Sequence, residues 1–155
     1  MADYSGSRSF GWIVEKMKFE SFLERYYFEK YLLDVCIATI EQGGVTSKLD
    51  TYQFLSPIDA WAIPKYPDKT VILSSSADLQ QEIAAFILKN EVCLRYPDCW
   101  LGTWIEPVTR HCYLDIATLY FCLDDAVQEA QALSSRGQRK IVALYDFKRG
   151  QAIYL

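Results

Sequence analysis

From Lys18 to Gln42 the chain runs without a proline or a glycine, and it then meets Gly43-Gly44. Good helix formers fill the stretch and the glycine pair supplies the stop, so the pattern predicts one long helix over 18–42. Its first half sets Phe19, Phe22, Leu23 and Tyr26 against Glu20, Glu24 and Arg25. Its second half, Tyr31-Leu32-Leu33-Asp34-Val35-Cys36-Ile37, is apolar on nearly every side. A surface helix needs one dry stripe; a helix apolar all round needs cover on more than one side. The expected cover is a protein partner or a second copy of the chain, as a homodimer, with Tyr26, Tyr27, Leu33 and Ile37 as the contacting residues.

The aromatic content points the same way. A chain of 155 residues holds 11 Tyr, 8 Phe and 4 Trp, and a domain of that size has a limited interior in which to hide them. Tyr and Trp left at the surface are the side chains best suited to anchor an interface, being apolar at one end and polar at the other. The net charge of −4 argues against a general nucleic-acid binder, whose affinity rests on neutralising phosphates. The strongly apolar run Tyr31–Ile40 is too short to span a bilayer and contains Asp34. The first residues lack the apolar segment of a signal peptide. With five cysteines, an odd set in a chain that needs no staples, the expectation is a cytoplasmic protein with free and mostly buried thiols.

One domain over 1–155 is expected, with 1–9 disordered, 10–69 a helical and loop-rich extension, and 70–155 the core. Phe10–Glu15 reads as a short strand. The glycines and prolines crowded into 43–69 leave room for short strands near Tyr52–Leu55 and Ala60–Ile63. After them come a β-branched strand at Thr70–Ser74, a helix at Ala77–Asn90 capped by Ser75 or Ser76, and a hairpin of Trp100–Glu106 with His111–Thr118. A helix at Asp124–Ser135 and strands at Lys140–Phe147 and Gln151–Leu155 complete the chain. The order β-α-β-β-α-β from Thr70 to Phe147 predicts an α+β, ferredoxin-like (split βαβ) sandwich: an antiparallel sheet with helices on one face. The long N-terminal helix and the last strand would be additions to it.

No catalytic or ligating set stands out. Cys93, Cys99, His111 and Cys112 have the right chemistry for zinc, but adjacent strand residues point to opposite faces, so His111 and Cys112 cannot share one ion; no metal and no cofactor is expected. Asp115 interrupts the strand Tyr113–Ala117, on the side opposite Leu114 and Ile116. If that side is covered, Asp115 must find a donor or shift its pKa. Trp100 and Trp104, with Gly102 between them, share a strand face. They suit either core packing beneath two helices or a shallow aromatic platform for a ligand or partner. The expected function is that of a small non-enzymatic interaction or regulatory protein, working as a homodimer or within an assembly. The alternative is a small enzyme using Asp115 and Glu106 with His111 for hydrolytic acid–base chemistry. An enzyme requires those three groups to meet in a concave pocket, whereas a binding module requires an exposed apolar patch.

Overall fold

The computed structural model describes residues 9–155, so the disordered segment expected at 1–9 lies, apart from Ser9, outside the described residues. Phe10–Lys16 is not a strand but a helix, α1. Ser9 caps it by accepting from the Trp12 N–H, and Ile13 and Val14 are buried. Cap and buried pair together override the β-leaning composition of Phe10–Glu15. The chain breaks at Lys18, whose φ is +52°, and the main helix, α2, begins at Phe22 and ends at Gln42. Ser21 accepts from the Glu24 N–H, while the Glu24 carboxylate accepts from the Glu20 N–H. Gly43 terminates the helix in a left-handed conformation, φ 84°, its N–H bonded to the Thr39 carbonyl.

Seven strands follow or alternate with two further helices: β1 (Gly44–Ser47), β2 (Trp61–Pro64), β3 (Val71–Leu73), α3 (Leu79–Leu94), β4 (Trp100–Ile105), β5 (Cys112–Tyr120), α4 (Leu123–Arg136), β6 (Ala143–Asp146) and β7 (Gln151–Tyr154). Asp78, not Ser75 or Ser76, caps α3 by accepting from the Gln81 N–H. Tyr52–Leu55 forms no strand, only a bridge between Ser47 and Phe54. All strand pairs are antiparallel, in the order β1-β4-β5-β2-β6-β7, with β3 also on β5. The described residues therefore form an α+β fold, with four α-helices and one antiparallel sheet.

The expected unit at 70–147 is not self-contained. Its first strand, β3, pairs with β5 but not with β6; β6 pairs instead with β2, which precedes residue 70. Strand β5 has nine residues and carries β3 on Cys112–Leu114 and β2 on Ala117–Tyr120. Nor are α1 and α2 additions: Ile13, Phe28, Leu32 and Val35 share one core with Ile83 and Ile87 of α3 and with Leu101, Leu114 and Ile116 of the sheet. Two buried polar contacts pin α2 to that sheet, Tyr31 Oη to Ser47 Oγ at 2.5 Å and Thr39 Oγ1 to Thr103 Oγ1 at 2.6 Å. A smaller core sets Ala126 and Ala130 of α4 against Ile63 and Leu144.

Strand parity places these core residues on one side of the sheet. Leu114 and Ile116 alternate with Tyr113, Asp115 and Ala117, and the register sets Gly102 opposite Asp115, Trp104 opposite Tyr113 and Trp100 opposite Ala117. The sheet curls away from its helices until Trp104 of β4 meets Tyr154 of β7, ring centroids 6.1 Å apart. No helix among the described residues is long and apolar enough to cross a membrane.

Candidate functional site

Two surfaces follow from this arrangement. The first is the outer side of α2. Its inner side, Phe28, Tyr31, Leu32, Val35, Ala38 and Thr39, is buried. On the outer side Phe22, Leu23, Tyr26, Tyr27, Leu33, Ile37 and Ile40 are between 43% and 82% exposed. Leu23, Tyr26, Lys30, Leu33, Ile37 and Ile40 succeed one another at alternating steps of three and four residues. That is the spacing with which one helix presents a seam to another. Its single interruption, Lys30, is bound to Asp34 one turn on, at 2.8 Å.

The second surface is the concave side of the sheet. It borders a half-open cavity of about 270 Å³. Small side chains make the space: Gly102 and Ala117 at its centre, Ala62, Ala143 and Ala152 toward β7. Phe54, Trp104, Tyr145 and Phe147 wall it. Trp100 and Trp104 therefore do not pack beneath helices, because the residues between and beside them, Leu101 and Thr103, take that side. Trp104 lines the cavity, while Trp100 packs with Ala60, Ala62, Ala117 and Phe147 and has the Lys48 ammonium 5.3 Å from its ring centre.

Among the described residues, Asp115 is the only charged side chain lining this cavity. Its Oδ1 accepts from Thr70 Oγ1 at 2.5 Å, and no hydrogen bond among the described residues reaches Oδ2. Thr70 is fixed in turn by Arg139, whose guanidinium donates to the Thr70 carbonyl at 2.7 Å. Asp68 sets the position of Arg139 by accepting from the backbone N–H groups of Gln138 and Arg139. Removal from water pushes the Asp115 carboxyl up to about 6, against the Thr70 hydrogen bond and the Arg139 charge, which both pull it down. Charged or titratable neighbours facing it are Arg139, Lys140 and Tyr113 around an adjoining smaller hollow, and Tyr145 across the cavity.

The sign of the resulting pH effect is fixed. Well below pH 3.8 the carboxyl is neutral both folded and unfolded. Between about 4 and 6 the folded protein holds the proton that the unfolded chain releases, so stability falls as pH rises. Above about 6 the fold carries a partly desolvated carboxylate, a cost on the order of 1–2 kcal/mol once water in the cavity is allowed for. Asp115→Asn should therefore shift stability upward by about 1–2 kcal/mol more at pH 8 than at pH 4. Urea unfolding of both proteins at the two pH values measures this, and an equal difference at both would refute it.

Glu106 and His111 do not join Asp115. Glu106 lies four residues along β4 from the partner of Asp115, roughly 13 Å at strand spacing. Its Oε2 accepts from the N–H groups of Val108 and Thr109, and Tyr154 Oη donates to its Oε1. The Thr109 N–H above all holds this carboxyl below its ordinary pKa. His111 is exposed in the same turn, its N–H bonded to Thr109 Oγ1 and its carbonyl to the Glu106 N–H. All five cysteines are free. Cys36, Cys99 and Cys112 are buried, and burial raises Cys36 and Cys112 to about 11, far from a reactive thiolate. Among the described residues no three His, Cys, Asp or Glu side chains gather as a metal-binding group.

Sequence reasoning singled out Asp115 and both tryptophans but missed Thr70 and Arg139, which are distant in sequence. Gly102 was the available signal for the hollow beside them. Compared with protein families, curated proteins and solved structures, the chain matches no family model, no curated protein and no solved structure.

Proposed function

We propose that this protein acts by binding protein, and that its partner on the α2 face is a second copy of itself. The observation that carries the reading is the exposed seam Leu23–Ile40 on a helix whose other side is fully engaged in the core. A three–four repeat is matched best by another helix with the same repeat. A two-fold axis crossing α2 between Tyr31 and Leu32 pairs the helices antiparallel. Leu23 then faces Ile40 of the second copy, Tyr26 faces Ile37, and Lys30 faces Leu33 beside Asp34. A parallel pairing would set Lys30 against Lys30. One lysine in the seam thus selects the antiparallel register at some cost in stability. Seven large side chains exposed to this extent, at about 150–250 Å² for a whole ring, offer several hundred Å² per protomer. That approaches the roughly 800 Å² per partner of a standard interface.

Sedimentation velocity on the intact chain tests the pairing. The expected result is a species of twice the protomer mass at micromolar concentration. Lys30→Glu sets two acidic residues beside Asp34 of the second copy, and should weaken the dimer about tenfold or more. Lys30→Glu with Asp34→Lys should restore it. A wild-type monomer at every concentration, or a dimer indifferent to both variants, would reject this interface.

The carboxylate enzyme built on Asp115, Glu106 and His111 has less support, since the three groups are not brought together. Free, mostly buried thiols fit a reducing compartment, and we place the protein in the cytosol on that ground. We read the middle of the sheet as a split βαβ sandwich whose first strand is interrupted, β2 and β3 lying end to end along β5; this reading of the fold carries no activity with it.

A further inference from the structure

We propose that the concave face of the sheet is a binding site for a small organic cation, a primary or secondary amine on a compact apolar body, with Asp115 as its counter-ion. The cavity has both parts that such a ligand needs. Its walls are apolar and aromatic, and among the described residues its one charged side chain is Asp115, with an oxygen that no hydrogen bond from a described residue reaches. About 270 Å³ is the space of roughly nine waters, near the lower end of small-molecule sites, and suits a single ring with a short amine arm.

The surroundings of Asp115 favour a cation over other classes of ligand. The nearest guanidinium, Arg139, is committed to the Thr70 carbonyl and not to the carboxylate, so the negative charge is positioned without being paired. An ammonium group would supply donors to Oδ2, and the faces of Trp104 and Tyr145 attract positive charge. A carboxylate ligand would meet Asp115 as a like charge. An alcohol could donate one hydrogen bond but would leave the charge unneutralised.

The second feature is the empty position opposite Asp115. Gly102 is its register partner, and a Cβ there would lie 3.4 Å from Ala117 Cβ and 3.8 Å from Asp115 Cβ. That is ordinary contact, so the strand accepts a larger residue while the cavity does not. The missing side chain is space kept open beside the carboxylate. Filling it gives a control that does not touch the charge.

The experiment is calorimetric titration of the intact protein with benzylamine and cyclohexylamine, against benzyl alcohol and benzoate as uncharged and anionic probes of like shape. At pH 8 the amines are expected to bind with affinity of about 1 mM or better and at least tenfold over the alcohol, with benzoate silent. Asp115→Asn should remove the preference for amine over alcohol, and Gly102→Val should abolish binding of both while the folded spectrum persists. Chemical shifts of the Trp104 indole and the Gly102 amide locate the site for any probe that binds. Equal binding of benzoate and benzylamine, amine binding undiminished in Asp115→Asn, or no amine binding at all would overturn the proposal. None of these outcomes depends on whether the protein pairs through α2.

Discussion

Replacing Leu33 and Ile37 together by glutamate is expected to turn the proposed dimer into a monomer at any accessible concentration, with the fold intact. The two side chains are 50% and 43% exposed on the isolated protomer, so the fold asks little of them. In the proposed antiparallel pair they lie in the seam, and symmetry doubles each change, placing four carboxylates where the pairing would bury apolar surface. At about 1.4 kcal/mol for each, the dissociation constant rises about ten-thousandfold. Sedimentation equilibrium reads the assembly. Urea unfolding at a dilution where both proteins are monomeric reads the fold, so that mass action does not confuse the comparison. Loss of the fold at that dilution would show that the face is core. A persisting dimer would place the interface elsewhere.

The largest stability effect is expected from Gly44→Ala. A Cβ at this position would stand beside the Thr103 carbonyl oxygen, closer than any non-bonded contact allows, and 3.1 Å from Trp104 Cα. Both obstacles are backbone of the neighbouring strand, so no side chain can swing aside. Strand β1 must lose its pairing with β4 or push it away, at about 3 kcal/mol or more. Gly43→Ala is the control. Gly43 holds φ 84° but has nothing within 4 Å of its Cβ direction, and the substitution should cost only about 1 kcal/mol, the penalty of a left-handed backbone. Denaturant unfolding ranks the two, and hydrogen exchange at Val45 and Ser47 shows whether β1 has peeled away. Equal costs would mean that the β1–β4 approach is looser than described.

That pair also marks the limit of reading the chain alone. Gly43-Gly44 is visible as a helix stop, and one of the two serves as such. The role of the other depends on Thr103, fifty-nine residues away along the chain, and no local pattern contains it. The same division runs through the rest. Glycine stops and strand parity are local, so the C-terminal end of α2, the β4–β5 hairpin and the side on which Asp115 lies were legible, whereas the start of α2 was set four residues too early. Phe10–Glu15 was misread because its β-leaning residues are helical only with the Ser9 cap and a buried face against α3. The boundary at residue 70 was misplaced because β6 chose β2, and strand partners are set by the whole sheet.

By itself the amino-acid order determined that α2 would be apolar on more sides than a lone helix can keep dry, and that a carboxylate would interrupt β5. Both follow from periodicity, which is a property of neighbours in the chain. Only the tertiary structure decided what these features face. Curling the sheet away from its helices opened a hollow over Asp115, brought Thr70 to one oxygen and left the other open. Packing Phe28, Leu32 and Val35 inward turned Leu33 and Ile37 out. Such outcomes rest on the partners that long-range packing supplies, and those partners are chosen by the burial of the whole core at once.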